Sequence, residues 1–478
     1  MMKLKYWKPA SCIAVICVWT TLTATARAQT FNTLVNFDGT NGANPQAALV
    51  QGIDGSLDGT LSDGGDHAHG TVFKLGAGGK LTTLYSFCAQ ANCVDGANPY
   101  GSLVLATDGN FYGTTLTGGE QNFGTVFKVT RGGKLTTLRS FCQQLYCPDG
   151  ATPVAGLVQG TDGNFYGTTE AGGEYMSGTV FKITSAGALT TLYSFCSQNC
   201  TDGASPFAGL VQANDGNFYG TTWIGGSFYG DGTIFKITPA GELTTIYRFC
   251  LQSDCLDGAQ PQAGLVQATD GNLYGTTTQG GAGSDGTVFK LTPGGKLTTL
   301  YSFCTQANCT DGGYPQGGLV QGTDGNLYGT TVLHGGKGYG TVFQINRAGT
   351  MTTVHNFDST DGANAMAALL QATNGSFYGT TNLGGSGSGG TLFGMSADLG
   401  PFVAFVNGAG KAGQRVGILG QGFTGTSGVS LDGSPVIFKV ESNTLLIATI
   451  PTGATTGYVT VTTPSGTLTS NKPFLVIP

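Results

Sequence analysis

The chain has 478 residues, 82 of them Gly and only 10% of them charged, with a net charge of −6. Gly makes up about 17% against a usual value of about 7%, but there is no Gly-X-Y period, which excludes collagen. Hydrophobic residues reach 40%, which excludes a disordered chain. Abundant Gly and Thr with few helix formers predict an all-β fold.

Residues 1–28 predict a secretory signal peptide. Lys3, Lys5 and Lys8 precede a mostly apolar stretch at 10–24, and Ala26-Arg27-Ala28 forms an A-x-A cleavage site. Cleavage near Ala28 removes four basic residues, so the net charge changes from −6 to −10. We therefore expect an exported chain without a transmembrane segment in its mature part. An acidic chain without a basic patch excludes nucleic acid as a partner.

Seven internal repeats follow. The string N-[FL]-Y-G-T-T recurs every 50 to 55 residues, with its Tyr at positions 112, 166, 219, 274, 328 and 378 and with Asp58 in the first copy. Each repeat predicts four short strands, as at 155–159, 164–169, 178–184 and 189–195, separated by Thr-Asp-Gly-Asn, Gly-Gly and similar turns. Four strands at this period are typical of a β-propeller blade. We predict a seven-bladed β-propeller over residues 29–397.

The two ends of the repeat array predict closure. The segment 31–37, FNTLVNF, is similar to LTTLYSF, the last strand of the other repeats. The seventh repeat ends near Phe393 without such a strand. The N-terminal strand should therefore complete the seventh blade and leave no open edge.

Ten Cys residues fall into five local pairs between blades. An even count, export and matched spacing predict five disulfides, with zinc as the alternative. The pairs are Cys88/Cys93, Cys142/Cys147, Cys196/Cys200, Cys250/Cys255 and Cys304/Cys309.

An acidic residue precedes Gly in the same inter-blade connections. A turn-forming Asp-Gly is one interpretation, and a ring that binds a divalent cation is the other. The positions are Asp95, Asp149, Asp202, Asp257, Asp311 and Asp361, with Asn41 in the seventh connection. Apart from such a cation, we expect no cofactor.

The C-terminal region, 398–478, lacks the repeat. It predicts a small β-sandwich with strands at 416–419, 429–431, 436–440, 445–450, 458–463 and 474–477, separated by Gly-rich turns.

The repeat GLVQGTDGNFYGTT…GTVFKIT…LTTLYSFC closely resembles the Gloeo/Verruco repeat of exported bacterial proteins of the choice-of-anchor tandem-repeat type. The C-terminal region resembles an IPT/TIG domain, which has an immunoglobulin-like fold, through Gly420–Phe423, Leu431–Gly433 and Ala448–Gly457. The resemblance implies architecture and export from a bacterium, to the medium, the cell surface or the periplasm. It implies no activity.

Departures from the repeat point to candidate binding residues. The inter-blade and Gly-Gly loops should share one face, and variable loops on a rigid scaffold commonly bind ligands. Exposed aromatic rings suit a sugar or a protein partner, although packing onto the blade is the alternative. The candidates in these loops are Trp223, Phe228, Tyr229, Tyr175 and Tyr339.

One polar loop is a candidate metal site. Asp63, Asp66, His67 and His69 combine two carboxylates with two imidazoles, the ligands of a transition metal, although a solvated loop is the alternative. No catalytic motif is present, so we name no catalytic residues.

These observations favour a secreted non-catalytic binding or adhesion protein that contacts an extracellular polysaccharide or protein. A carbohydrate-active lyase or hydrolase on a propeller scaffold is the rival hypothesis. A structural cell-surface or matrix component is the third. The sequence does not predict the oligomeric state.

Overall fold

The computed structural model describes residues 30–197, 199–226 and 230–477. The predicted signal peptide lies outside these residues. The described chain is all-β, as predicted, apart from three short 3-10 turns at Ala91–Cys93, Ser253–Cys255 and Ala307–Cys309. None of its helices is long and apolar enough to cross a membrane.

Seven four-stranded antiparallel sheets, numbered 1 to 7 here, follow one another along residues 31–395. The first strands are Val50–Gln51, Val104–Leu105, Val158–Gln159, Val211–Gln212, Val266–Gln267, Val320–Gln321 and Leu370–Gln371. The second strands are Leu57–Leu61, Phe111–Thr115, Phe165–Thr169, Phe218–Thr222, Leu273–Thr277, Leu327–Thr331 and Phe377–Thr381. The third strands are Thr71–Leu75, Thr125–Val129, Thr179–Ile183, Thr233–Ile237, Thr287–Leu291, Thr341–Ile345 and Thr391–Met395. The fourth strands of sheets 1 to 6 are Leu81–Ser86, Leu135–Ser140, Leu189–Ser194, Leu243–Arg248, Leu297–Ser302 and Met351–Asn356.

The fourth strand of sheet 7 is Phe31–Asn36, which pairs antiparallel with Thr391–Met395. The two ends of the repeat array therefore share one sheet. The first strands are shorter than the five residues predicted, because only two residues pair with the second strand. The residues before them run past a Pro without a strand partner, as at Pro153.

The core of each sheet depends on one Gly. Gly113 of the YGTT motif lies opposite Phe127 of the GTVF motif. A Cβ on Gly113 would lie 2.6 Å from Cζ of Phe127, so only Gly leaves room for the buried ring. The repeat spaces these two residues so that the ring folds over the neighbouring strand.

Adjacent sheets pack through aromatic rings. The ring of Tyr112 stacks on Phe165 of the next sheet, with centroids 4.1 Å apart, and Tyr166 stacks on Phe218 at 4.0 Å. These rings are buried, and the hydroxyl of Tyr112 still donates to Asp108 in the turn below at 2.9 Å. The repeated Tyr therefore contacts the next sheet through its ring and the turn of its own sheet through its hydroxyl.

A Gln at the end of the first strand links each sheet to the one before it. Gln212 Oε1 accepts the N–H of Thr161 at 3.0 Å, and Gln51 Oε1 accepts the N–H of Thr373 at 3.0 Å, which joins sheet 1 to sheet 7. Sheet 2 departs from this pattern, because Leu105 replaces Gln and faces Ile53 in an apolar cluster.

The C-terminal region forms two further four-stranded sheets and one two-stranded pair. The strands are Ala404–Phe405, Ala409–Gly410, Arg415–Leu419, Gly428–Leu431, Ser434–Pro435, Ile437–Val440, Leu445–Thr449, Val459–Thr463, Gly466–Thr469 and Leu475–Val476. Both larger sheets contribute to one core around Phe423, Leu446 and Phe474. Four short strands were not predicted: 404–405, 409–410, 434–435 and 466–469.

Candidate binding face

The loops that enter each sheet and the Gly-Gly loops lie together on one side of the seven sheets. The second Gly of each Gly-Gly loop donates its N–H to the loop that enters the same sheet, as Gly119 does to Cys93 O at 2.9 Å and Gly173 to Cys147 O at 2.8 Å. We call this side the disulfide face. The opposite side carries the Thr-Asp-Gly-Asn turns, and we call it the turn face.

The five predicted disulfides are present on the disulfide face and are confirmed. They join Cys88 to Cys93, Cys142 to Cys147, Cys196 to Cys200, Cys250 to Cys255 and Cys304 to Cys309. Each bond spans four or five residues, so it stiffens one loop and crosslinks no two sheets.

The Asp residues that precede Gly in the inter-blade connections hold these loops in place through hydrogen bonds. Asp257 is fully buried, and it accepts the hydroxyl of Tyr247 at 2.8 Å and the N–H of Leu251 at 3.3 Å. Asp202 accepts a hydrogen bond from the hydroxyl of Tyr193 in the same way. Burial, together with this hydrogen bond, raises the pKa of Tyr193 to about 12, so the hydroxyl keeps its proton and donates.

The partner of the Asp changes with the repeat in a physically consistent way. Where Arg139 replaces Tyr, it pairs with Asp149 at 2.6 Å, and where His355 replaces Tyr, its Nε2 lies 2.8 Å from Asp361. In the seventh connection Val35 offers no donor, and the acid becomes Asn41. The acid is therefore present where its strand supplies a donor.

This pattern favours the structural interpretation of the row over the cation ring. No group of three candidate metal ligands in the described chain includes any of these Asp residues.

Two connections have an Asp in place of the first Cys. Asp38 Oδ1 accepts the N–H and hydroxyl of Thr40 at 3.0 and 2.7 Å, and Asp358 does the same with Thr360. The hydrogen bond from the Thr40 hydroxyl is the main cause that lowers the pKa of Asp38. A local carboxylate turn thus substitutes for the disulfide in these loops.

The predicted aromatic residues divide into three groups. Tyr175 and Tyr339 are 44% and 43% exposed. Trp223 is half-buried, with its centroid 6.3 Å from that of Phe207, and its Nε1 is buried without a hydrogen-bond partner. Phe228 and Tyr229 lie outside the described residues.

The structure does not gather the predicted metal ligands. Asp66, His67 and His69 are exposed, and Asp63 Oδ2 accepts the hydroxyl of Ser62 at 2.8 Å. No three of the four bring ligand atoms within 4.8 Å of one another, and His69 instead lies near the sulfurs of Cys88 and Cys93. Those sulfurs are bonded to each other, so they offer no thiolate.

A cavity of about 420 Å³ lies where the first strands of all seven sheets begin on the disulfide face. We call it the channel mouth. Each sheet contributes the residue that follows its repeated Pro, or Ala365 in sheet 7. These rim residues are Gln46, Tyr100, Val154, Phe207, Gln262, Gln316 and Met366.

The rim is chemically divided. Sheets 2 to 4 contribute Tyr100, Val154 and Phe207, with Trp223 beside Phe207, whereas sheets 5, 6 and 1 contribute Gln and sheet 7 contributes Met. The rest of the lining consists of Ala, Gly, Ser and Leu, so the amide groups and aromatic rings of the mouth all come from the rim. An apolar aromatic arc that faces amides suits a ligand with one apolar and one hydroxylated side.

The rim residues were not predicted from the sequence. The signal was present, because the residue after the Pro varies among the repeats while the residues around it are nearly constant. Only the structure shows that these positions, about 54 residues apart, meet around one opening.

A family model of the Gloeobacter/Verrucomicrobia repeat matches residues 20–159, 143–323, 211–434 and 304–472. The chain belongs to this repeat family.

No curated protein matches this Gloeobacter/Verrucomicrobia repeat chain by sequence. Several solved structures are similar in fold. A gluconolactonase from Xanthomonas campestris is 12% identical over 76% of this chain and 99% of its own, with a TM-score of 0.39. A puromycin hydrolase is 14% identical over 72% of this chain and 50% of its own, with a TM-score of 0.45. A protein of unknown function from Bacteroides thetaiotaomicron is 13% identical over 69% and 82%, with a TM-score of 0.41.

In this member of the Gloeobacter/Verrucomicrobia repeat family, His334 marks another departure on the disulfide face. It has a φ of +64° at a position where the other repeats have Gly. Its Nε2 lies 3.4 Å from Asp285 Oδ2. The neighbouring Gly313 replaces the Ala of the other repeats, and a Cβ there would lie 2.7 Å from the imidazole. The two substitutions together make room for the histidine.

Proposed function

We propose that this chain is an exported, non-catalytic binding protein whose channel mouth holds an extracellular glycan. In this proposal the seven sheets are the blades of a β-propeller, residues 29–397, which the N-terminal strand closes. Residues 398–478 form an IPT/TIG-like, immunoglobulin-like module that spaces or supports the propeller, and the signal peptide is cleaved near Ala28.

The divided rim carries this proposal. Sugar rings present apolar C–H faces that stack on aromatic rings and hydroxyl groups that bond to amides. Phe207 and Tyr100 are half-buried, so their positions are fixed before a ligand arrives. Gln262 and Gln316 contribute side-chain amides to the same mouth. Its volume of about 420 Å³ lies within the usual range for small-ligand sites.

A second observation supports the Trp223 side of the mouth. Its indole N–H is buried without a partner in the described chain. Such a donor costs free energy in the absence of an acceptor, and in this proposal a ligand hydroxyl supplies one once the indole turns toward the Phe207 edge.

The test uses the mature protein, residues 29–478, with a panel of soluble polysaccharides. Retention and chain length are followed together. We expect retention of at least one polysaccharide without shortening, and we expect Phe207→Ala and Trp223→Ala each to weaken it by about 10-fold. Tyr458→Ala is the matched control, because this exposed aromatic residue lies in the C-terminal region.

Each other outcome contradicts part of the proposal. Shortened chains would favour the lyase or hydrolase hypothesis. Retention that survives both substitutions at the mouth would place the glycan elsewhere. Neither retention nor shortening would overturn the glycan assignment and favour a protein partner or a structural surface component.

A further inference from the structure

The sheets around the channel mouth are joined at every junction by the same hydrogen bond. The Thr that follows the repeated Gly of the second strand donates its hydroxyl to the residue after the rim residue of the next sheet, as Thr114 does to Ala155 O at 2.8 Å. The bond from Thr380 to Ala47 O, at 3.5 Å, joins sheet 7 to sheet 1, and equivalent bonds join the other sheets. Among the described residues, no junction between sheets therefore offers a side exit from the mouth.

The small residues next to the rim bring the backbones of neighbouring sheets into contact at these junctions. A Cβ on Gly156 would lie 2.5 Å from Ser102 O of the preceding sheet, and a Cβ on Gly317 would lie 2.6 Å from Ala367 O of the following sheet. Between sheets 1 and 2, Ser102 Oγ accepts the N–H of Ala48 at 3.0 Å. The wall of the mouth is therefore continuous backbone, and no groove in it could hold a chain lying sideways.

The C-terminal sheets lie at the opposite end, against the turn face. Thr444 Oγ1 donates to the carbonyl of Ile53 at 2.8 Å. Residues of the segments 404–409 and 471–475 approach the first strands of sheets 2 to 5 on this side. Because these segments stand over the turn-face end of the first strands, the disulfide face is the open approach to the mouth.

The mouth has no charged side chain. Its described lining contains no Asp, Glu, Lys, Arg or His. The amides of Gln46, Gln262 and Gln316 are half-buried and make no hydrogen bond within the described chain. Each of these amides offers two N–H donors and one acceptor oxygen. A carboxylate or an ammonium group that entered would lose water without gaining a counter-charge, whereas hydroxyl groups would find partners.

We propose that the channel mouth recognises the end of an uncharged glycan chain. This inference rests on the proposed glycan-binding function and specifies which part of the glycan is bound. The terminal sugar enters from the disulfide face, with its apolar side on Tyr100 or Phe207 and its hydroxyl groups on the amides across the mouth. The interior of a polysaccharide has no free end to insert and passes over the rim. The volume of about 420 Å³ is near the lower end of the range for small-ligand sites, which suits a short chain end.

The first experiment tests the preference for chain ends with the mature protein, residues 29–478. The probes are pullulan, glucomannan and laminarin, which are neutral, and the fragments that partial hydrolysis makes from each. Hydrolysis raises the number of chain ends at constant mass of sugar. We expect the fragments of a retained probe to compete for binding in proportion to the number of their ends and not to their mass.

The two possible failures of this experiment are distinguishable. Equal competition per gram at every chain length would leave the glycan-binding function intact and overturn recognition of the end. Retention of none of the probes would overturn the glycan-binding function and this inference with it.

The second experiment tests the preference for an uncharged end. Oxidation of the primary hydroxyl groups of a competing fragment to carboxylates should weaken its binding to the wild type by about 10-fold or more. Gln262→Lys places an ammonium group at the mouth and should restore binding of the oxidised fragment, a gain that misfolding cannot produce. Gln144→Lys is the matched control, because Gln144 is an exposed Gln of a disulfide-face loop outside the mouth, and it should keep the wild-type preference.

Three results of the second experiment would overturn the inference. These are equal binding of neutral and oxidised fragments to the wild type, no gain in Gln262→Lys, and an equal gain in Gln144→Lys.

Discussion

The two faces of the seven-sheet region depart from the repeat in different ways. On the disulfide face nearly every sheet has its own loop residues, from Phe207 in the channel mouth to His334 beside Asp285. On the turn face the turns are almost identical, and the departures concentrate where the C-terminal sheets lie. Ile53 and Leu105 contribute to that contact, and Thr373 accepts the N–H of Phe402.

The difference shows how one repeat serves two purposes. A residue that appears in all copies packs sheet against sheet, so its departures are informative. On the turn face one departure builds an internal contact with the C-terminal sheets. On the disulfide face the departures diversify an open surface that no other part of the described chain covers.

The largest expected effect comes from the Asp brace of the disulfide face. Asp257→Ala should lower the free energy of unfolding by about 3 kcal/mol, because it removes a buried carboxylate and leaves the hydroxyl of the half-buried Tyr247 and a loop N–H without an acceptor. Urea unfolding measures the loss. Glu242→Ala, at an exposed acid of the same repeat, should change it by less than about 0.5 kcal/mol.

A double substitution sharpens this test. Tyr247→Val with Asp257→Asn copies the natural Val35 and Asn41 pair of the seventh connection. It should cost less than the sum of the two single substitutions. Strict additivity would show that the brace is not a coupled unit.

The second effect is a pH dependence on the turn face. Asp58 replaces the repeated Tyr, and burial raises its pKa to about 6. The folded state therefore holds a proton that the unfolded state releases near pH 4, so stability should fall by about 2 kcal/mol as the pH rises from 4 to 6 and change little above that. Urea unfolding at several pH values should show this fall in the wild type and a shallower one in Asp58→Asn. Asp398→Asn, at an exposed acid, should follow the wild type, and parallel curves for all three proteins would contradict the prediction.

The third prediction concerns Leu105, which replaces the repeated Gln and packs against the C-terminal sheets on the turn face. Leu105→Gln restores the residue of the other repeats and places an amide among Ile53, Leu419 and Leu445. We expect about 2 kcal/mol less protection from amide hydrogen exchange in the strand Arg415–Leu419. Gln321→Leu, the opposite exchange at the junction of sheets 5 and 6, should leave that protection unchanged. If both variants lower it equally, the apolar cluster does not hold the C-terminal sheets.

The smallest effect concerns the paired departure at His334. Gly313→Ala should destabilise the protein by about 1 kcal/mol, because the new Cβ meets the imidazole at 2.7 Å. Adding His334→Gly restores the residues of the other repeats and removes a side chain from a positive φ. The double variant should therefore melt at or above the wild-type temperature. A double variant that is less stable than Gly313→Ala would refute the compensation.

The sequence by itself determined the strands and much of their pairing. The period of about 54 residues, the YGTT and GTVF motifs and the turn residues act within one repeat, where hydrogen bonds and side-chain alternation are local. Cys pairs four or five residues apart have few alternative partners in a stiff loop, so their bonds followed from spacing. The pairing of Phe31–Asn36 with Thr391–Met395 followed because each end of the array lacks what the other supplies.

Only the tertiary structure decided which of the residues that differ from the repeat lie next to one another. The rim residues, the Gln212 bridge and the contact of Leu105 with Leu445 join positions on different repeats or regions. Their proximity depends on how whole sheets stack, and no local preference encodes it.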